Sequence, residues 1–307
     1  MKKIHSKSRR KFLQDTSLFT ISSFLLPLNM ASSTKRKVRF GLATDSHYAD
    51  REPTGTRFYR QSLQKMEEFV ETMNKAEVDF AIHLGDFKDE SPDKEEENTL
   101  RYLREIEKVY AKFEGPRYHC VGNHDVDSIN KDLFLANIQN TGIPSTHSYY
   151  SFDYQDFHFV VLDANFNKEG IDHFYKNGAD WQDTQLSRKQ INWLKSDLGS
   201  TDAPTIIFCH HPLFEYRRDG YTFHVNDYQE IQTILQSHGK VIAVFQGHVH
   251  EEKYEMIGGI HYITQLGMVD FEGLDNNSFA LVEIDDQNIR IEGFKRTASY
   301  EQAHHKE

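Results

Sequence analysis

The stretch "VIAVFQGHVH", residues 241–250, is an apolar run that stops at Gly247 and is followed at once by His248 and His250. Six residues rich in Val, Ile and Phe, bounded by glycines, read as a buried strand. One histidine at a strand end is ordinary packing. Two become informative when other strand ends carry the same kind of residue.

Four other runs do. "FGLAT" (40–44) is followed by Asp45-Ser46-His47, and "AIHL" (81–84) by Gly85-Asp86. "YHCV" (118–121) leads into Gly122-Asn123-His124-Asp125, and "IIFC" (206–209) into His210-His211-Pro212. Between these runs lie stretches of helical period: 59–76, with Leu63, Met66, Phe69, Val70 and Met73 on one face, then 94–113, a weaker one near 128–140, 185–198 and 226–239. Residues 147–164 read as a hairpin and 163–185 as a long loop. Short strands are expected at 253–257, 260–264, 279–285 and 288–293, with the last dozen residues frayed. Alternating strands and helices followed by consecutive strands predict an α/β (α+β) fold of mixed sheets with helices outside, in one domain over residues 35–307.

In such folds the carboxyl ends of the strands line a common crevice, so the five motifs converge there. Carboxylate, amide oxygen and imidazole together suit borderline divalent metals such as Mn, Fe or Zn. Six to eight such groups are too many for one ion and about right for two, an arrangement that splits phosphate esters.

Composition narrows the partners. The net charge is −11; residues 1–34 contribute about +5 to it, which leaves about −16 on the remainder. A body so acidic, without a basic stripe, is not expected to bind nucleic acid. A small phosphorylated substrate is compatible if a local cation overrides the global field. Residues 1–34 combine a basic start containing Arg9 and Arg10, a modest apolar run and a small-residue end. That order predicts a secretory signal, and its "SRRKFL" core is similar to the twin-arginine export signal, which places the protein in the periplasm or outside the cell. The apolar run is too short to span a bilayer, so no stable membrane insertion is expected after cleavage. Cys120 and Cys209 each close an apolar run and read as small buried strand residues, with a disulfide after export as the alternative.

The combination Asp-x-His, Gly-Asp, Gly-Asn-His-Asp, His-x-Pro and Gly-His-x-His resembles the calcineurin-like metallophosphoesterase superfamily over about residues 38–265. The resemblance implies a four-layer double β-sandwich flanked by helices and a dinuclear centre of Mn, Fe or Zn. One metal would take Asp45, His47, Asp86 and His250, and the other Asp86, Asn123, His210 and His248, with Asp86 bridging. His124 would face the scissile bond as general acid, with Asp125 beside it to fix its orientation. Asp89 and His211 would support the ligands rather than bind metal. Hydroxide formed between the two ions would attack phosphate mono- or diesters.

Asp89 stands where purple acid phosphatases carry a tyrosine ligand, so an iron-tyrosinate centre is not expected. "FGLATDSHYAD…TGTRFYRQSL" looks like the start of the manganese-dependent ADP-ribose/CDP-alcohol diphosphatases, with His47 where that group usually has glutamine. A nucleoside-diphosphate-type pyrophosphatase is therefore the alternative activity, and a non-catalytic scaffold the third reading. Substrate contacts are expected from Arg57, Arg60, Arg217 and Arg218, with Tyr48, Tyr216, Tyr221 and Trp181 as candidates to stack on a base.

Overall fold

A computed structural model describes residues 36–304. The stretch read as an export signal lies outside the described residues. Strand β1 (Lys37–Ala43) begins the first sheet, pairing in parallel with β2 (Phe80–His83), which pairs in parallel with β3 (Arg117–His119). On its other edge β1 runs antiparallel to β12 (Ser278–Asp285), followed outward by β13 (Asn288–Lys295) and β14 (Tyr300–Ala303).

The second sheet is also six-stranded and mixed. Strands β5 (Phe157–Leu162), β6 (Thr205–Cys209), β9 (Val241–Gln246) and β11 (Ile260–Thr264) form a parallel centre. The antiparallel strands β4 (Tyr150–Tyr154) and β10 (Lys253–Ile257) close its two edges.

Period-two alternation decides which face of β1 goes where. Val38, Phe40 and Leu42 pack between the sheets with Phe80, Phe159, Phe208 and Phe245, all without exposed surface. The Phe40 ring stacks on Phe80 at 5.0 Å and meets Phe159, Phe208 and Phe245 edge-on. Ala43 faces outward, toward α1 (Ser62–Ala76) and α2 (Glu96–Tyr110), whose Met66, Phe69, Met73, Leu103 and Ile106 form the second core. On the far side α4 (Arg188–Leu198) and α5 (Tyr228–His238) cover the other sheet through Ile191, Leu194, Ile231 and Leu235. Two helical layers around two sheets make the four-layer sandwich expected from the sequence.

Three elements differ from the sequence reading. The weak helix near 128–140 is α3 (Lys131–Ala136), started by the Asn130 side chain, which accepts from the Leu133 amide at 2.9 Å. The C-terminal dozen is not wholly frayed, since Tyr300–Ala303 pairs with β13. That edge strand is half-exposed, so its polar sequence lacks an apolar run. Within the region left unassigned, β7 (Arg217–Arg218) and β8 (Tyr221–Thr222) form a minimal hairpin around Asp219-Gly220, both at positive φ. Asp-Gly is the signature of that turn, and only the two-residue arms concealed it.

Cys120 and Cys209 are buried and free, as expected of small strand residues. Within the described residues, no helix is long and apolar enough to cross a membrane.

Candidate metal centre

The five motifs leave the carboxyl ends of β1, β2, β3, β6 and β9, and backbone hydrogen bonds continue the sheets into them. Beyond β1 and β2 the parallel pairing runs on, with the amides of Asp45 and His47 donating to the carbonyls of Gly85 and Asp86 at 3.0 and 2.9 Å. On the other flank the Val269 amide donates to the Asp45 carbonyl at 3.0 Å, and the Gly247 amide to that of His210 at 3.0 Å.

The glycines are required by close approach. A Cβ at Gly122 would collide with the amide and carboxylate of Asp86, and one at Gly247 with Thr44 and Asp45. Asp45, His47, Asp86, His248 and His250 all hold positive φ, between 43° and 71°. This left-handed backbone is uncommon for residues with a side chain and concentrates at functional sites.

These turns bring the side chains together in two groups that share Asp86. In the first, the Nε2 atoms of His47 and His250 face each other at 3.1 Å, and Asp45 Oδ1 lies 3.3 Å from His250 and 3.6 Å from His47. In the second, His210 Nε2 lies 3.3 Å from Asn123 Oδ1, and His248 joins Asp86 and His210 in one cluster of potential ligand atoms. Asp86 Oδ2 stands between the groups, 3.4 Å from His47 Nε2 and 3.2 Å from His210 Nε2.

The donor set fits a pair of cations. Asp45 Oδ1 and His248 Nε2 are buried without a hydrogen-bond partner, which is costly unless something else satisfies them. Two imidazole nitrogens aimed at one another in a carboxylate-lined hollow present lone pairs to a common point, as ligands do. Asp45, His47, Asp86, Asn123, His210, His248 and His250, the seven residues singled out from the sequence, are all brought together here.

The charges follow from this crowding. Burial raises the carboxyl pKa of Asp45, but His250 and His47 outweigh it and hold the group well below the carboxylate range. Burial likewise opposes Asp86 ionisation, and His210, His124 and His47 overcome it. Burial disfavours the imidazolium at His210 and His250, yet Asp86 carries the first and Asp45 with Asp270 the second up to about 9. His248, without such a partner, is pushed well below its ordinary value by burial and by His210.

His124 stands at the rim of the site, with its Nδ1 3.4 Å from Asp89 Oδ2. Burial works against its charged form, and Asp89 with Asp86 raises its pKa nonetheless. Contrary to the expectation from sequence, Asp125 does not orient this ring. Its carboxylate accepts from the amides of Asp86, Phe87 and Gly122 at 2.8–2.9 Å and so braces the loop that carries Asp86. Residues 124–126 form a 3-10 turn, in which consecutive side chains diverge by about 120°. Asp89 supports both His124 and His47 Nδ1, the latter at 3.1 Å. His211 is buried beside His248, ring centroids 4.5 Å apart, and belongs to neither group of potential ligands.

Above the centre opens a cleft of about 830 Å³. Arg57 and Arg218 line it, but Arg60, Arg217 and Tyr216 do not. Arg60 lies in the 3-10 turn Tyr59–Gln61 ahead of α1 and is bound on the surface by Asp50 and Glu52 at 2.5 and 2.8 Å. Arg217 is exposed on the small hairpin and held by Glu215 and Thr222. Tyr216 and Tyr48 are buried, with their hydroxyls donated to Glu251 and Glu105 at 2.6 Å. Trp181 lines the cleft together with Phe223, and Tyr221 flanks Trp181 at 5.8 Å.

Asp270, Phe271 and Arg296 were missed by the sequence reading, and all three line the cleft. Asp270 Oδ2 lies 2.7 Å from His250 Nδ1, and Thr56 donates to its other oxygen at 2.7 Å. No motif marks these residues, because they come from the connections around the last antiparallel strands.

Two sheets, parallel strand ends and a paired cation cradle define a dinuclear phosphoesterase. Residues 38–252 match the calcineurin-like phosphoesterase family, and the chain belongs to it. It is 26% identical over 274 residues to a manganese-dependent ADP-ribose/CDP-alcohol diphosphatase of Oryza sativa subsp. japonica, covering 76% of this chain and 84% of that protein. The Bos taurus protein of the same name is 23% identical, with 86% and 93% covered. Among solved structures, a dimetal phosphatase from Danio rerio superposes with a TM-score of 0.73 at 19% identity, covering 87% of this chain and 99% of that one. The chain is a metal-dependent hydrolase of phosphoric esters.

Proposed function

We propose that the chain hydrolyses small phosphate esters at the bottom of the cleft, using two divalent cations. Asp45, His47, Asp86 and His250 would hold one cation, and Asp86, Asn123, His210 and His248 the other. The single observation that carries this is the position of Asp86 Oδ2 between His47 and His210, with Asp45 Oδ1 and His248 Nε2 buried and unpartnered beside it. A bound cation pair supplies acidified water and neutralises charge on phosphate oxygens.

The chain's own residues do the rest. Asp125 and the glycines fix the backbone under the ligands. His124, with Nδ1 turned to Asp89, presents Nε2 to the cleft. A proton held there can pass to the oxygen that leaves with the alcohol. Asp89 favours the charged ring before transfer and keeps it oriented afterwards. Trp181 and Phe223 provide an apolar wall beside His248 that suits an aromatic or sugar-bearing group.

The test is elemental analysis of purified protein together with turnover of p-nitrophenyl phosphate and bis-p-nitrophenyl phosphate with added Mn²⁺. The proposal expects about two metal equivalents per chain and hydrolysis of at least one ester. Metal-loaded protein inert to both would overturn it.

Export is proposed on the sequence of residues 1–34 alone: the twin arginines, the short apolar run and the small-residue end support delivery to the periplasm or beyond. Fractionation of cells making the full chain, against a variant with both arginines replaced by lysine, tests it.

A further inference from the structure

We propose that Lys65 is a positioning residue for the metal centre: its buried ammonium holds residues 268–271 so that Asp270 meets His250, and it thereby sets how tightly one cation is held. The proposal rests on the two-cation reading and goes beyond it, since Lys65 neither belongs to the ligand groups nor lines the cleft.

Lys65 lies on the face of α1 that also carries Met66, Phe69, Val70 and Met73, and it has no exposed surface. It makes no ion pair among the described residues. A buried ammonium without a carboxylate is costly unless its N–H groups find acceptors. All three do. Nζ donates to the carbonyls of Met268 and Asp270 at 2.9 Å and to that of Phe271 at 2.8 Å. Burial and the Arg296 guanidinium lower the Lys65 pKa to about 8, against the pull of Asp270 and Glu68, so the three donors are present at pH 7.

Those carbonyls belong to a segment whose amides are taken from the other side. The amides of Met268, Val269 and Phe271 donate to the carbonyls of Thr44, Asp45 and Thr56, at 3.0, 3.0 and 2.6 Å. The segment is thus clamped between the chain that follows β1 and the Lys65 ammonium. Phe271 holds a φ of 62°, a left-handed backbone that persists in a residue with a side chain only where its surroundings enforce it. The bond from Lys65 to its carbonyl is one such constraint.

Asp270 sits inside this clamp. Its carbonyl accepts from Lys65, while its carboxylate lies 2.7 Å from His250 Nδ1 and accepts from Thr56 at 2.7 Å. There is little slack: a Cβ at Gly267 would come within 2.5 Å of His250 Nδ1 and 3.0 Å of Asp270 Oδ2. Without the ammonium, three carbonyls lose a donor and the segment must shift to find others, which carries the carboxylate off the ring. A carboxylate behind a ligating imidazole governs the metal's affinity, so the loss falls on the cation that His250 would hold.

Mn²⁺ titration calorimetry on cation-free protein at pH 7 tests this in the wild type, Lys65→Met, Lys65→Gln, Asp270→Asn and the double variant Lys65→Met/Asp270→Asn. Lys65→Met should weaken one of the two Mn²⁺ steps about tenfold and the other less than about twofold. Lys65→Gln, which keeps amide donors, should recover part of the loss. The double variant should bind no more weakly than Asp270→Asn alone, because both changes act through one carboxylate. Thermal melts of the cation-free variants check folding, and if Lys65→Met does not fold, Lys65→Gln takes its place in the cycle. Two unchanged steps, equal weakening of both, Lys65→Gln no better than Lys65→Met, or additive losses in the double variant would overturn the role and leave the two-cation reading standing. Wild-type protein that binds no Mn²⁺ would overturn both.

Discussion

In the half of the cradle formed by Asp45, His47 and His250, each imidazole rests its Nδ1 on a carboxylate: His47 on Asp89 at 3.1 Å and His250 on Asp270 at 2.7 Å. In the half formed by Asn123, His210 and His248 the supports are neutral. His210 Nδ1 faces the Leu84 carbonyl at 2.9 Å, and His248 packs among the rings of Trp181, His211 and Phe223. Carboxylates behind an imidazole raise its basicity and its hold on a metal. The first half would therefore hold a cation more tightly, and the second, beside the aromatic wall, would release one more readily.

The sharpest way to break this comparison is to remove what the halves share. Asp86→Asn keeps the shape and deletes the bridging charge, so both cations and measurable turnover should be lost; elemental analysis and ester hydrolysis report this together. His124→Ala removes none of the seven cradle side chains, although the ring it deletes packs edge-on against His47 at 4.6 Å. It should retain metal while losing about 10²–10⁴-fold in kcat on alkyl phosphates, and much less on p-nitrophenyl esters, whose leaving group needs no proton. Asp270→Asn tests the asymmetry itself. It should weaken one cation site about 10–100-fold and leave the other nearly intact, seen as two separated steps in titration calorimetry.

Acidity is a gentler probe. In cation-free protein His210 and His250 hold protons up to about pH 9, and a cation must displace them. Apparent metal affinity should therefore rise with pH, by roughly tenfold per unit for each proton displaced, and level off near 9. Since both folded-state pKa values lie above the ordinary 6.5, these groups stabilise cation-free protein fully below that value. That contribution is lost as pH rises from 6.5 through 9, and metal should abolish the loss in thermal melts. The smallest effect belongs to a histidine outside the cradle. His158 bridges Asp153 and Asp197 at 2.7 and 2.9 Å, and although burial opposes its charge, Asp197 and Asp153 raise its pKa. His158→Gln should cost about 1 kcal/mol below pH 6.5, less as pH climbs past the raised value, and leave metal content unchanged.

The cradle was legible in the sequence because each ligand follows an apolar strand, and parallel strands deliver their ends to one edge. Arg60 was misplaced because the helical period does not show that residues 59–61 form a separate 3-10 turn, from which its side chain reaches Asp50 and Glu52 on the surface. Asp125 was misassigned because adjacency along the chain says nothing about divergence within a 3-10 turn. Asp270 and Arg296 were invisible for a different reason. They sit on connections beside the last antiparallel strands, where no motif marks them, and backbone pairing such as the Arg57–Asp270 bridge and the Val269–Asp45 bond brings that segment to the cleft.

Residue order alone determined the chemistry: the carboxylates, the amide and the imidazoles occupy fixed places after five apolar runs, and no folding detail changes which atoms can bind a cation. Tertiary structure alone decided how those atoms are supported. The left-handed turns and the carboxylates behind His47 and His250 depend on backbone segments meeting across the sheets. Hydrogen-bond geometry over a few ångströms is not written in a pattern of polar and apolar letters.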